Sequence, residues 1–494
     1  MLDLREAKNI VIIGGGTAGW FAALVLRRMF PPQTAIKVIE SPDIGIVGVG
    51  EGGLINIVNA LNSLNIPTSE FMQETGASLK WGFCYEGWRT GEKNDEYYHL
   101  FIDPRQAPFN DQYAGFLPKI SGLFVRGIPL HQAVNGFPAI KQRVSQQEAA
   151  EMLVNGNTGI TTSFHFDSYR TAKFLQKKAI ERGVLHRQTE VIDILMDAHQ
   201  NAAKIMTDEG AYRADFLIDA SGLSRVVIDK KLKRQWTSFK DYLWLDRAIP
   251  FYVPHQGKNP ELFTRATAMK AGWIWQIPLV ERIGAGYVYC SKYLSEEAAL
   301  KEISDYFQME IEPQKTLNFE PGHYAEVWKG NIMALGLSSG FVEPLEATSI
   351  GQMLEQLFAF ERVVTHSGWV VSDLSIDQFN EANKWCWNGI RDFLRMHYDC
   401  PRRDTPFWQE VSTTPYPDTY RAVKEVFAQR SPRMEDIKGY ATGGWGGIFH
   451  AVNWMFVAQP LGLISEKGCR QELKYLPAEK IQEITQYIDA LPNV

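Results

Sequence analysis

Cysteine is scarce and unpaired in this sequence: five among 494 residues, at positions 84, 290, 386, 400 and 469, with no C-x-x-C spacing. That pattern excludes a zinc ribbon or an iron–sulfur site and points to a reducing compartment. Neither charge dominates. Lys and Arg number 51 against 57 Asp and Glu, a formal net charge of −6, so electrostatics gives no reason to expect nucleic acid or an anionic membrane as partner. No basic-then-apolar leader opens the chain and no uninterrupted apolar run is long enough to span a bilayer, which sets the expectation of a cytoplasmic protein. Aromatic residues, by contrast, are plentiful, with 14 Trp, 27 Phe and 19 Tyr. They are enough for a stacking pocket and equally able to be core. The length allows two to four domains' worth of core, or one large enzyme with an intimate second lobe.

The chain is organised around residues 10–28. A β-branched run, Ile10-Val11-Ile12-Ile13, ends in Gly14-Gly15-Gly16-Thr17-Ala18-Gly19 and passes into an apolar helical stretch. Gly14 permits the turn, Gly16 lets backbone N–H groups approach a pyrophosphate, and Gly19 lets helix pack on strand. A second strand over 35–39 ends at Glu40, where a carboxylate meets a ribose hydroxyl. Only one complete fingerprint of this kind exists, so one dinucleotide is expected and no separate site for a nicotinamide donor.

Further along, residues 44–53 hold five glycines among Ile and Val, a strap suited to lie against a planar ligand. Residues 54–64 read as helix. Residues 79–85 alternate as a strand with Lys80 on the face opposite Leu79, Trp81 and Phe83, and spacing alone favours a solvated lysine there. The other reading is an amine facing a pocket, its pKa lowered by desolvation. Residues 86–155 are weakly periodic. His165 beside Asp167 reads as a capping and packing pair ahead of a helix over 168–182, followed by a strand at 191–195 and a buried strand over 214–222 that ends in Asp and Gly. Trp273 and Trp275 fall on one sheet face. A strand over 329–337 leads to Glu343-Pro344-Leu345-Glu346, with Pro344 at the first position of a helix running to about 363. There Glu346 suits the helix dipole. The remainder is mainly helical, ending in a helix over 478–491.

Several of these segments resemble the flavin-dependent tryptophan halogenases over about residues 8–410. They are 14–20, Lys80 in its aromatic strand, 165–167, the Trp-x-Trp-x-Ile-Pro run at 273–278, and 343–346. Arg391-Asp392-Phe393-Leu394 with His397-Tyr398, and Arg402-Arg403-Asp404 with Pro406-Phe407-Trp408, complete the set. The resemblance implies an α/β fold, an FAD-binding two-dinucleotide (GR2-like) flavin monooxygenase core over 1–100 and 156–362. It adds an excursion over 101–155 and a mainly helical substrate module over 363–494. It also implies chemistry: reduced FAD from a separate flavin reductase reacts with O2 to a hydroperoxide that oxidises halide to hypohalous acid. This passes to Lys80, which halogenates an electron-rich aromatic. Glu346 is then the acidic partner, and Thr348 and Ser349 supply halide-binding amides. FAD contacts fall on Gly14, Gly15, Gly16, Thr17, Ala18, Gly19, Glu40, Val49, Gly52, Val191, Leu337 and Ile350, with no metal.

The chain departs from the family pattern at Glu51-Gly52-Gly53, where members commonly carry Glu-Ala-Thr, and at Ala347-Thr348-Ser349, where Ser-Thr-Gly is common. A side chain at 349 strains the turn if the backbone there needs positive φ, which bears on halide choice. The tyrosines expected to clasp an amino acid do not align over 443–450, so an indole or other electron-rich arene is expected rather than free tryptophan. An aromatic hydroxylase of the same fold would not need Lys80, and a flavin-binding scaffold would need neither Lys80 nor Glu346.

Overall fold

The computed structural model describes residues 1–45, 50–156, 158–255, 257, 259–443 and 445–491. Asn9–Ile13 is an inner strand of a six-stranded sheet. It pairs in parallel with Ala35–Glu40 on one side (Ile10 opposite Ile36) and with Phe216–Asp219 on the other (Ile10 opposite Phe216). Leu185–Gln188 and Ile332–Ala334 extend the sheet in parallel, and Trp328–Lys329 closes one edge antiparallel. Inner strands covered on both faces carry unbroken β-branched runs, which explains Ile10 to Ile13. The helix Thr17–Met29 follows at once and buries Trp20 to Leu26. Gly14 has φ +118°, and a Cβ there would stand 2.1 Å from the Ala220 carbonyl oxygen; one on Gly19 would stand 1.9 Å from the Gly14 oxygen. The turn therefore closes only without those side chains.

A seven-stranded sheet runs in the order Leu317–Asn318, Arg247–Val253, Ile283–Tyr289, Gly272–Pro278, Phe263–Ala268, Gly82–Glu86, Glu96–Leu100. It is antiparallel except where Phe263–Ala268 runs beside Gly82–Glu86. A small sheet of Glu51–Gly52, Ser163–Phe166 and Ser78–Lys80 bridges the two large ones. Among the helices, Thr348–His366 and Asp373–His397 pack together. Ala451–Ala458 lies against the strand Glu96–Leu100, and Glu466–Leu473 and Ala478–Asp489 cover Pro118–Val125.

Three expectations need correction. Residues 79–85 are not one strand: Ser78–Lys80 and Gly82–Glu86 belong to different sheets. Gly82 has φ +151°, with space for a Cβ denied by the His99 carbonyl oxygen at 2.2 Å. The long helix begins at Thr348 rather than 344, because Ala347 is left-handed (φ 51°) and residues 344–347 turn back, Ala347 N–H donating to the Pro344 oxygen. The weakly periodic stretch 86–155 contains the buried strand Glu96–Leu100 and helices Pro118–Val125, Phe137–Gln142 and Gln146–Val154. Burial on both faces removed the alternation that would have marked the strand.

Candidate active site

A cavity of about 670 Å3 opens at the carboxyl ends of the parallel strands, the usual place for a ligand in such a sheet. Gly14, Gly15, Gly16, Thr17 and Ala18 line one end together with Glu40. Glu40 leans over the glycine turn so closely that a Cβ on Gly15 would lie 1.5 Å from its Oε2, while His186 Nε2 donates to its Oε1 at 2.7 Å. A Cβ on Gly16 would meet nothing within 4 Å, so the first turn of the helix is open to an anionic ligand. Gly52, Val191, Leu337, Ser349 and Ile350 line the remaining walls, with Trp275. Gly19 packs inside the turn and does not line the cavity. Thr348 is buried with its Oγ1 unpartnered. Val49, and with it much of the 44–53 strap, lies outside the described residues. The second strand exit, Ala220-Ser221-Gly222, also lines the cavity, held by Asp219, which accepts from Ser221 N, Val227 N and Ile228 N at 2.8–3.1 Å. Bare glycines, a free helix terminus and a carboxylate over the turn fit the dinucleotide of a flavin.

Lys80 is fully buried, which overturns the solvated reading. The break at Trp81-Gly82 lets its stem turn back, so that Nζ sits 3.8 Å above the Phe83 ring and 5.4 Å from that of Phe101. Nζ has no hydrogen-bond partner. Burial lowers its pKa to about 7, only partly opposed by the charge of Glu346. One glycine separates the amine from the cavity: a Cβ on Gly52 would lie 2.7 Å from Lys80 Nζ and 3.2 Å from Thr264 Oγ1. Thr264 itself lines the cavity and is bonded to His165 Nε2 at 3.0 Å. His165 is held well below the ordinary histidine value, first by burial and then by Lys80. The capping role expected of the 165–167 pair belongs to Asp167 alone, which accepts from Arg170 N at 2.9 Å.

Glu346 is also fully buried, in the turn ahead of the helix and not in its first turn, so the dipole does not account for it. Its carboxylate accepts from the Tyr85 hydroxyl and from His99 Nδ1, at 3.1 and 3.0 Å from the two oxygens; His397 Nε2 stands 3.2 Å from Oε1. Burial alone would raise its pKa, yet the two imidazoles outweigh it and hold the carboxyl below the usual range. The neighbouring Glu343 differs: it accepts from Tyr398 but burial dominates and pushes it up to about 7. Ser349 is helical, and the positive φ falls on Ala347 instead, so the strain expected at 349 is absent. His99, Thr264 and Asn453, which contacts His99, belong to no motif in the sequence. The alternation Tyr97, His99, Phe101 was the one signal for the first of them.

Fold and site together define a mixed α/β protein with a dinucleotide-type cavity and a buried lysine and glutamate behind its wall. The family model described as Tryptophan halogenase matches residues 9–473, and the chain belongs to that family. It is 38% identical to the uncharacterized protein y4xG of Sinorhizobium fredii, over 99% of this chain and 97% of that one. It is 30% identical to the tryptophan 7-halogenase RebH of Lentzea aerocolonigenes, over 96% and 94%. The solved tryptophan 6-halogenase SttH of Streptomyces toxytricini superposes with a TM-score of 0.84 at 27% identity, covering 98% of this chain and 96% of that one. The chain is thus homologous to flavin-dependent halogenases.

Proposed function

We propose that the protein is an FAD-dependent halogenase of an uncharged, electron-rich arene such as an indole. The observation that carries this reading is the Lys80 amine, buried, unpartnered and one glycine away from the cavity. Reduced FAD, bound there in a two-dinucleotide (GR2-like) core, supplies the electrons with which O2 oxidises halide to hypohalous acid. The backbone N–H groups of Thr348 and Ser349, free at the helix start, hold the halide. Gly14 to Thr17 and Glu40 hold the dinucleotide. Thr264 and Gly52 form the wall past which hypohalous acid reaches Lys80. An amine with a pKa near 7 is half unprotonated at neutrality, so it can take the halogen or donate a hydrogen bond to it. Glu346, kept ionised by its donors, balances the positive charge that develops on the arene and receives its proton.

Around His99 the packing is aromatic: the rings of Phe83, Phe393 and Phe456 lie within 6 Å of its ring, and Phe393 stacks on Phe449 at 3.7 Å. None of these side chains is charged, which supports an arene without the ammonium and carboxylate of free tryptophan. Tyr440, close to the glycine-rich 443–447 stretch, donates to Asp392 at 2.7 Å and is thereby engaged in the fold. In this reading 1–100 and 156–362 form the flavin-binding part, with 101–155 and 363–494 on the substrate side. A separate reductase supplies reduced flavin by diffusion or transient contact, and the enzyme works in the cytoplasm.

The test is turnover with FAD, NADH and a generic reductase on indoles, phenols and free tryptophan, with chloride, bromide and iodide in parallel, read by mass spectrometry. Halogenated indole with little halogenated tryptophan is expected. Oxygenated arene without halogen would replace the reading with a hydroxylase, and flavin binding with no product on the whole panel would replace it with a scaffold.

A further inference from the structure

Asn453 lies in the helix Ala451–Ala458, AVNWMFVA, in which it is the sole side chain bearing a hydrogen-bonding amide and no residue is charged. Its Oδ1 accepts from the backbone N–H of His450 at 2.6 Å. A backbone N–H can only donate, so the amide orientation is fixed and Nδ2 points the other way. There it stands 2.9 Å from His99 Nε2. An amide nitrogen also can only donate. Nε2 must therefore accept, the ring carries a single proton, and that proton is on Nδ1, facing the two oxygens of Glu346 at 3.0 and 3.1 Å.

We infer that Asn453 is a positioning residue, which holds His99 as the neutral Nδ1–H tautomer and so leaves Glu346 with its whole negative charge. The inference rests on the reading of Glu346 as the acidic partner of Lys80. An imidazolium at 99 would cancel that charge, and it would set two donors against each other at Nε2. The other groups that bear on the ring are His397 and Tyr85, both at the same carboxylate, and Lys80, whose Nζ lies over the neighbouring Phe83 ring. Phe393 and Phe456 cover the rest of the ring and bring no charge. The direction of bonding thus runs from the His450 backbone through Asn453 and His99 to Glu346, and it joins the helix Ala451–Ala458 to the reacting carboxylate.

Asn453→Asp tests this cleanly, because an aspartate still accepts from the His450 N–H and keeps the helix cap while presenting an acceptor to His99 Nε2. Histidine-labelled wild type and variant are compared by nitrogen-15 NMR, with the His99 signals assigned by their loss in His99→Asn. Wild type is expected to carry its single ring proton on Nδ1, and Asn453→Asp to carry a proton on both nitrogens. In turnover, kcat is expected to fall at least tenfold at pH 7 and to recover as pH rises and the second proton leaves, with flavin affinity unchanged. A wild-type His99 protonated on Nε2, or an identical proton state in both proteins, overturns the inference. The NMR result stands whether or not the arene is halogenated, so a failed turnover assay falls on the proposed function and not on the tautomer.

Discussion

An amine with no partner is expensive to bury, and Lys80 is such an amine. A pKa near 7 against an ordinary 10.5 corresponds to about 5 kcal/mol between its charge states. The folded state binds the proton less well than the unfolded one, so stability rises with pH between about 7 and 10.5 and carries the penalty below 7. Lys80→Met should therefore raise the unfolding free energy by roughly 2–4 kcal/mol at pH 7, measured by urea titration, while halogenation is lost. A residue that weakens the fold where methionine would strengthen it is held by its chemistry. Thr264 makes a second prediction at this scale. Thr264→Val keeps the volume but removes the hydroxyl that His165 holds at the cavity wall. Flavin oxidation should continue at the wild-type rate, the yield of halogenated arene per flavin oxidised should drop several-fold, and a β-diketone scavenger in solution should capture the difference. An unchanged yield would mean that the hydroxyl has no part in the passage.

Among the elements, the turn before the long helix and the break before the aromatic strand set the site. Ala347 occupies the left-handed region at φ 51°, where a non-glycine residue costs about 1–2 kcal/mol. Ala347→Gly should leave Tm unchanged or higher, whereas Ala359→Gly, buried within the same helix, should lower stability by about 1 kcal/mol or more. Gly82 is the opposite case. Its added Cβ would meet the His99 backbone oxygen at 2.2 Å, so Gly82→Ala should cost about 3 kcal/mol or more and displace Lys80 from above Phe83. Elements differ in how far the sequence makes them legible. The glycine turn, its helix and Glu40 were readable because strand, turn and helix lie consecutively and each glycine has a local steric reason. Lys80 was not readable from its spacing, since a period-two pattern says which face a residue takes and nothing about whether both faces are buried. From the sequence Glu346 reads as a dipole residue, because Pro344 suggests a helix start that the left-handed Ala347 postpones.

At the scale of the molecule, partners of the site come from segments far apart: 80–101, 165, 264, 343–349, 397 and 453. No local pattern in the sequence could have joined His99 to Asn453 across 354 positions. The resemblance to the halogenases carried Lys80 and Glu346 to each other; the tertiary fold supplied the histidines and the threonine. The same burial shapes the pH dependence of the whole protein. Glu343, raised to about 7, binds its proton more tightly folded than unfolded, so it lowers stability as pH climbs from about 4.5 to 7. Lys80 then restores stability above 7. The contributions of these two groups together are lowest near neutrality, and each is read as the difference between its variant and wild type. Glu343→Gln should flatten the acidic side and Lys80→Met the alkaline side, with urea denaturation at pH 5.5, 7 and 9 as the check.

The central claim is that halogen reaches the arene through Lys80, and it is most directly tested by comparing wild type with Lys80→Met on an indole while following flavin oxidation, scavenged hypohalous acid and product mass together. The expected result is equal flavin oxidation in both proteins, halogenated indole from wild type alone, and hypohalous acid released into solution by the variant. Halogenated indole in equal yield from Lys80→Met would contradict the account.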